Sequence, residues 1–204
     1  MSTFGRLDIV AMLLVSASLV NVRGDEKKPV PVVPNYFPLQ AGNEWQYEGN
    51  LNGKEGKITM RIAKIETIDR RKLARLEGVV EGEIVTTEHL QQTEKGIQRH
   101  RFNGAEITPP LMVLKYPAKD GDKWSGEVSS GDQKIKYSSE ATEEQIEVPA
   151  GKFKTIRVIL KAEEKGQVIN TTYWFAKDVG IVKQTMNVGD FNALLELKSH
   201  KRGK

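Results

Sequence analysis

Residues 155–162 read Thr-Ile-Arg-Val-Ile-Leu-Lys-Ala, with Ile156, Val158, Leu160 and Ala162 in one phase and Thr155, Arg157 and Lys161 in the other. An apolar period of two marks a strand with one face on a core and the other in water. The period recurs along the chain. Trp45 and Tyr47 alternate with Glu44, Gln46 and Glu48; Ile58, Met60 and Ile62 alternate with Thr59, Arg61 and Ala63; Phe191, Ala193, Leu195 and Leu197 alternate with Asn192, Glu196 and Lys198. Turn signals separate these runs: Asn52-Gly53, Asp69-Arg70-Arg71, Glu94-Lys95-Gly96, Asn103-Gly104, Gly121-Asp122, Gly131-Asp132, Lys165-Gly166 and Gly189-Asp190. Their spacing predicts a mainly β, antiparallel meander of about nine to eleven strands, strongly curved into a half-barrel or open barrel, with little helix.

Two places strain the pattern. Inside the run from Ile58 to Ile68 the apolar phase breaks after Ile62 and resumes at Ile65 and Ile68, which predicts a bulge. Leu111 to Lys115 follows Pro109-Pro110 and fits either a helical turn or a short strand, while residues 140–146 fit a solvated strand or loop.

The amino terminus reads differently. Arg6, an apolar run of about 12 residues from Ile9 to Val20, and Val22-Arg23-Gly24 before a charged stretch have the layout of a secretory signal peptide, residues 1–24. The run falls short of the roughly 20 residues that cross a bilayer. Residues 25–35 carry three prolines at near-alternate positions and read as an extended linker. A single β domain is expected over residues 36–199, followed by a frayed basic tail, residues 200–204. The expectation is an exported protein, periplasmic or extracellular, soluble after cleavage and not membrane-spanning.

The chain carries 31 Lys and Arg against 27 Asp and Glu, a formal net charge of +4, too balanced for nucleic-acid binding. It has no cysteine, which excludes thiol catalysis, Cys-ligated zinc and the lipid-bearing Cys of a bacterial lipoprotein. The three histidines are His89, His100 and His200; the first two read as solvated residues on polar strand faces, neighbours across a hairpin. The carboxylates Glu81 and Glu83, and Glu143, Glu144 and Glu147, read as solvated, and Asp120-Gly121-Asp122 reads as a tight turn rather than a calcium loop. Asn170-Thr171-Thr172 matches a glycosylation acceptor inside a strand. No nucleophile elbow, phosphate loop or dinucleotide fingerprint occurs. The reading is therefore not an enzyme, with no catalytic residue, metal or cofactor assigned.

Aromatic residues are the better candidates for a site. Trp45, Tyr47, Trp124, Tyr173, Trp174, Phe175 and Phe191 lie on or beside strands. They either fill the core or line an apolar cavity on the concave face; the cavity candidates are Trp45, Tyr47, Trp124, Tyr173, Trp174 and Phe191. Because Tyr173, Trp174 and Phe175 are adjacent, at least one of them must face away from the main core.

Three segments carry a resemblance: Tyr36-Phe37-Pro38-Leu39 running to Gly42-Asn43-Glu44-Trp45-Gln46-Tyr47, Val148-Pro149-Ala150-Gly151-Lys152-Phe153, and Tyr173-Trp174-Phe175-Ala176-Lys177-Asp178-Val179-Gly180-Ile181-Val182-Lys183. Together they resemble a loose set of uncharacterised exported bacterial β-rich proteins, many of them lipoproteins, similar in turn to the half-barrels of periplasmic lipoprotein carriers. The resemblance implies a sheet wrapped over an apolar cavity and a lipid, acyl or lipidated ligand. The lipoprotein Cys is missing, so anchoring does not carry over. The leading expectation is a non-enzymatic binding protein for a lipid or other apolar ligand. Its alternative is a cell-envelope interaction or scaffold domain with a protein partner, and third comes a hydrolase using a carboxylate pair.

Overall fold

The computed structural model describes residues 34–203, so the signal peptide and most of the linker lie outside the described residues. Twelve strands follow one another: β1 (Glu44–Leu51), β2 (Lys54–Ile68), β3 (Arg71–Val80), β4 (Glu83–Thr93), β5 (Gly96–Phe102), β6 (Ala105–Lys115), β7 (Lys123–Ser130), β8 (Gln133–Val148), β9 (Gly151–Glu164), β10 (Gln167–Ala176), β11 (Gly180–Val188) and β12 (Phe191–Lys201). No described residue is helical, and no helix is long and apolar enough to cross a membrane.

Each strand pairs antiparallel with its neighbour in sequence, and β1 pairs with β12. The curved antiparallel sheet read from the sequence is present, and its curvature goes as far as closure. All eight turn signals fall on chain reversals. The bulge expected in β2 is there too, as a register shift between Ile62 and Lys64 that skips Ala63. Residues 105–115 and 133–148 are both strand. The turn at Glu81-Gly82, where two acids surround the glycine, is the reversal that the strand count missed.

An even meander puts alternate turns at opposite ends. One end, here the base, gathers the β2–β3, β4–β5, β6–β7, β8–β9 and β10–β11 connections. The other, the mouth, gathers β1–β2, β3–β4, β5–β6, β7–β8, β9–β10 and β11–β12.

The base is filled. Residues 34–43 lead into β1 there, and Phe37 packs against Trp45 and Phe175, with ring centroids 5.2 and 6.2 Å apart. Trp45 Nε1 donates to Val179 O (2.6 Å) and the Tyr47 hydroxyl to Ile181 O (2.7 Å), so both aromatics brace the start of β11. Gly180 has φ +114°, and a Cβ there would lie 3.0 Å from Trp45 Nε1 and 3.1 Å from Phe37. Only glycine fits that approach. Gly151, after Pro149-Ala150, has φ +127°.

The carboxy-terminal end is part of this base and not a frayed tail. His200 and Lys201 pair with Trp45 and Glu44, Arg202 donates to Asp178 O (3.0 Å), and Gly203 N donates to Asn43 Oδ1 (2.8 Å). Asn43 is buried and its Nδ2 donates to Pro38 O (2.8 Å), so one side chain ties both termini of the barrel together.

The ladder is narrowest between β6 and β7, where only Ile107↔Ser130 and Thr108↔Ser129 pair. Pro109 and Pro110 follow immediately and bring no N–H to continue it. Trp124, half-buried on β7, donates its Nε1 to Met112 O (3.0 Å) and bridges the seam with a side chain where the backbones do not pair.

Trp45→Ala should cost about 3–5 kcal/mol, the value for a buried aromatic, read by chemical denaturation. A second expectation concerns Tyr116, whose buried hydroxyl has no well-formed hydrogen bond, the nearby Tyr36 amide being committed to Pro34 O (3.1 Å). Burial pushes its pKa up to about 12, from an ordinary 10.0. The unfolded chain ionises first, so this contribution to stability is whole below pH 10.0 and is lost as pH rises towards about 12. Tyr116→Phe should be neutral or stabilising at pH 8 and should flatten the alkaline limb of the stability–pH curve; an unchanged limb would exclude Tyr116 as its source.

Candidate functional site

On β1, β3, β8 and β10 the burial of the inward-facing residues falls from base to mouth, whereas Ile107 on β6, Val128 on β7 and Ala162 on β9 stay buried close to the mouth turns. On β10 it runs from Phe175, Tyr173 and Thr171, all buried, to half-buried Ile169. On β8, Ala141 and Ser139 are buried whereas Tyr137 and Ile135 are half-exposed; on β3 the same change separates Leu76 from Val80. On β1 it separates Trp45 and Tyr47 from Leu51. Residues on the inner face of a closed sheet meet solvent only if the interior is open at that level. The base half of the barrel is therefore a filled core, and solvent reaches an apolar concavity in the mouth half beside β1, β3, β8 and β10, while the wall at β6, β7 and β9 is packed.

Two phenylalanines stand at its rim. Phe102 pairs with inward Glu88, and Phe191 pairs with Val188, so both belong to the inner phase, yet they are 40% and 38% exposed. Between rim and core the inner phase supplies Leu51, Val80, Met186 and Ile169, all half-buried.

The floor of this concavity is polar. Arg99 Nε donates to Glu88 Oε2 (2.6 Å) and Arg99 Nη2 to the Tyr173 hydroxyl (3.1 Å). The Arg99 and Glu88 side chains are 14% and 15% exposed, so the pair lies at the boundary between core and open mouth. Burial alone would weaken Arg99 as a cation, but Glu88 and Tyr173 outweigh it and raise its pKa further, so it stays charged. The Arg99 guanidinium also lies 5.6 Å from the centre of the Phe102 ring, linking floor to rim by a cation–π contact. Beside the pair is a gap of about 10 Å³, bordered by Met60, Tyr173 and Gln184 among others, room for about one water.

The sequence candidates divide by position. Tyr173 is in the floor and Phe191 on the rim, together at the mouth. Trp45 and Tyr47 are inward but buried in the filled base, so they are core and not cavity wall. Trp124 closes the β6–β7 seam. Trp174 is the member of its aromatic trio that faces out: its Nε1 donates to Glu144 Oε2 (2.9 Å), and Lys183 Nζ lies 5.6 Å from its ring centre. Glu88, Arg99 and Phe102 were missed. Their signal was a charge placed two residues from an apolar neighbour in the same phase, Glu88 with Leu90 and Arg99 with Ile97.

The other polar candidates lie elsewhere. His89 and His100 are on the outer face and are neighbours, as the hairpin reading implied, but both are buried rather than solvated. His89 Nε2 bonds Glu66 Oε2 (2.7 Å), and His100 Nδ1 faces Arg71 Nη1 (3.2 Å). Burial, then the Arg71 charge, lowers the His100 pKa. Asp120 and Asp122 accept from the amides of Glu143 (2.9 Å) and Lys119 (3.1 Å), as turn-holding side chains do. Glu144 pairs with Arg157 (3.4 Å) and Glu147 with Lys152 (3.5 Å). Among the described residues no group of three or more metal-ligating side chains converges. A recess of about 480 Å³ over Gly49 and Gly56, bordered by Glu48, Glu55, Lys57 and Glu196, opens to solvent on the outer face beside the β1–β2 turn.

Glu88→Gln should cost about 3–5 kcal/mol, because it leaves a charged guanidinium below the mouth without its carboxylate. The double change Glu88→Leu with Arg99→Met should recover most of that loss in the same denaturation experiment.

No protein-family model and no curated protein sequence matches the chain. Two solved structures are similar to it in fold. One is a candidate lipoprotein of Parabacteroides distasonis ATCC 8503, 16% identical with a TM-score of 0.45 over 81% of this chain and 98% of that one. The other is a candidate exported protein with a YmcC-like fold from Bacteroides fragilis NCTC 9343, 14% identical with a TM-score of 0.46 over the same shares, 81% and 98%.

Proposed function

We propose that the protein is an exported, non-enzymatic binding protein that receives the apolar part of an amphipathic ligand in the mouth of its barrel. The observation that carries this reading is the exposure of inward-facing Phe102 and Phe191 above a half-buried apolar wall. Apolar side chains on a concave face that water can reach gain free energy when a ligand covers them, at about 25 cal/mol per Å² buried. The floor suits binding rather than chemistry, since Arg99 and Glu88 spend their charges on each other and on Tyr173. Export rests on the amino-terminal pattern of charge, apolar run and small residue before Asp25. The ligand reaches only as deep as the Glu88–Arg99 pair, because below it Trp45, Tyr47 and Phe175 leave no room.

The test is titration with a neutral apolar fluorophore such as N-phenyl-1-naphthylamine. Phe102→Ser and Phe191→Ser should each weaken its binding by about tenfold, equivalent to about 1.4 kcal/mol. Their melting temperatures should stay near the parent value, since both rings are already exposed. Equal affinity in parent and variants would refute the mouth as the site. Native mass spectrometry of protein recovered from its own compartment should in addition show a stoichiometric adduct.

A further inference from the structure

Exposed apolar side chains and unpaired acids share one end of the barrel. Of the six large apolar residues exposed among those described, five lie at the mouth: Ile84, Val85, Phe102, Val168 and Phe191. Each stands within four residues of the centre of a mouth turn, where the chain projects furthest from the core. The sixth, Ile65, is towards the base. Counting each mouth turn with one flanking residue on either side, the six carry five acids, Glu81, Glu83, Asp132, Glu164 and Asp190, against two lysines, Lys54 and Lys165. None of the five acids is in a salt bridge among the described residues, whereas the acids along the outer strands mostly are. By the same count the base turns carry seven cations, Arg70, Arg71, Lys95, Lys115, Lys119, Lys123 and Lys177, against five acids, Asp69, Glu94, Asp120, Asp122 and Asp178, and the end of β12 adds Lys201 and Arg202, so the base is net positive. A chain of small net charge is thus polarised along the barrel axis.

From this we infer that the occupant of the mouth is a cationic amphipathic segment of a partner protein. Its apolar side chains fill the concavity, and its lysines or arginines meet the ring of acidic turns. The inference rests on the mouth being the binding site, as proposed above, and specifies the chemistry of what binds there. An apolar surface by itself does not discriminate between ligands, but a ring of uncompensated carboxylates does. It repels the anionic headgroup of a fatty acid or acidic phospholipid and attracts basic side chains flanking an apolar stretch. The matched Glu88–Arg99 floor adds no net charge, so the sign of the site is set at its rim. The rim also offers more apolar surface than a single acyl chain needs, since Ile84, Val85 and Val168 lie outside the concavity and only a broader partner covers them.

Three synthetic amphipathic peptides sharing one leucine face, with lysine, glutamine or glutamate on the other, test this by calorimetric titration into the full chain. At 50 mM NaCl the lysine peptide should bind at least about tenfold more tightly than the glutamate peptide, and at 300 mM NaCl the gap should shrink severalfold as screening takes hold. The triple change Glu81→Lys, Glu83→Lys and Asp190→Lys should reverse the order, and the salt dependence of the parent protein gives the same answer should that variant fold poorly. Equal binding of all three peptides would overturn the charge inference while leaving the mouth as a site. Binding of the neutral fluorophore without any peptide would overturn the protein partner and leave a small-molecule site. Preference for vesicles of anionic phospholipid over the lysine peptide would overturn the sign. Loss of fluorophore binding as well would remove the underlying reading.

Discussion

The fold depends on the ladder between β1 and β12, through which the first strand of the barrel finds the last. A meander of this length has two free edges until that pairing forms, each a row of unsatisfied donors and acceptors open to other chains. Here the join runs from Glu44↔Lys201 to Leu51↔Ala193 and is reinforced by Lys198 pairing with Glu48. Asn43 and Gly203 then fasten the two termini of the barrel to each other beneath it. Closure also creates the problem that the rest of the molecule answers. A closed sheet encloses an interior that must be packed or wetted, and this barrel does one at each end.

At the base the interior is packed by side chains that come from the strands and from the segment leading into them. Phe37 could not reach Trp45 and Phe175 unless residues 34–43 turned across the barrel end, and that turn is held by the Asn43–Pro38 and Asp178–Asn35 hydrogen bonds. Trp45 and Tyr47 have large apolar bodies with polar tips, and each tip finds a carbonyl at the start of β11, Val179 just before it and Ile181 within it. Such rings are therefore structural even though they face the concave side. At the mouth the turns are short and bring no segment across. Gly56 adds no side chain there and faces open space, whereas Ile58 and Leu195 fill the place beside Gly49 and Thr86 the place beside Gly78. The Glu88–Arg99–Tyr173 group marks the transition, a polar layer stable there because its charges are matched and water is near.

The seam between β6 and β7 is the other consequence of closure. Register shifts in β5 and β6 carry Ile107 to Pro110 away from β5 and towards β7, and the two prolines then end the new ladder after two pairs. The Trp124–Met112 bond takes over as a side-chain strut. This is the stretch of sheet with the least backbone support, and in that sense the open barrel expected from the sequence survives as the weakest joint of a closed one.

Much of this was local enough to be written in the sequence. Alternation in Thr155–Ala162 fixes a strand and its inner face, Asn52-Gly53 and Asn103-Gly104 fix reversals, and the phase break after Ile62 fixes a bulge, because each depends on backbone preferences within a few residues. The adjacency of Tyr173, Trp174 and Phe175 likewise forced one ring outward, and Trp174 is that ring. Glu81-Gly82 and Pro109-Pro110 were harder, since acids mask the turn and prolines disguise the strand. What the sequence alone could not decide is which inward residues meet water. Trp45, Tyr47, Tyr173 and Phe191 all belong to the same inner face. Only closure, the accumulated bulges and the crossing of residues 34–43 over one end bury the first two, set Tyr173 in the floor and leave Phe191 at the rim. The same long-range register brings Arg99 to Tyr173, 74 residues away in the chain, which no local periodicity encodes.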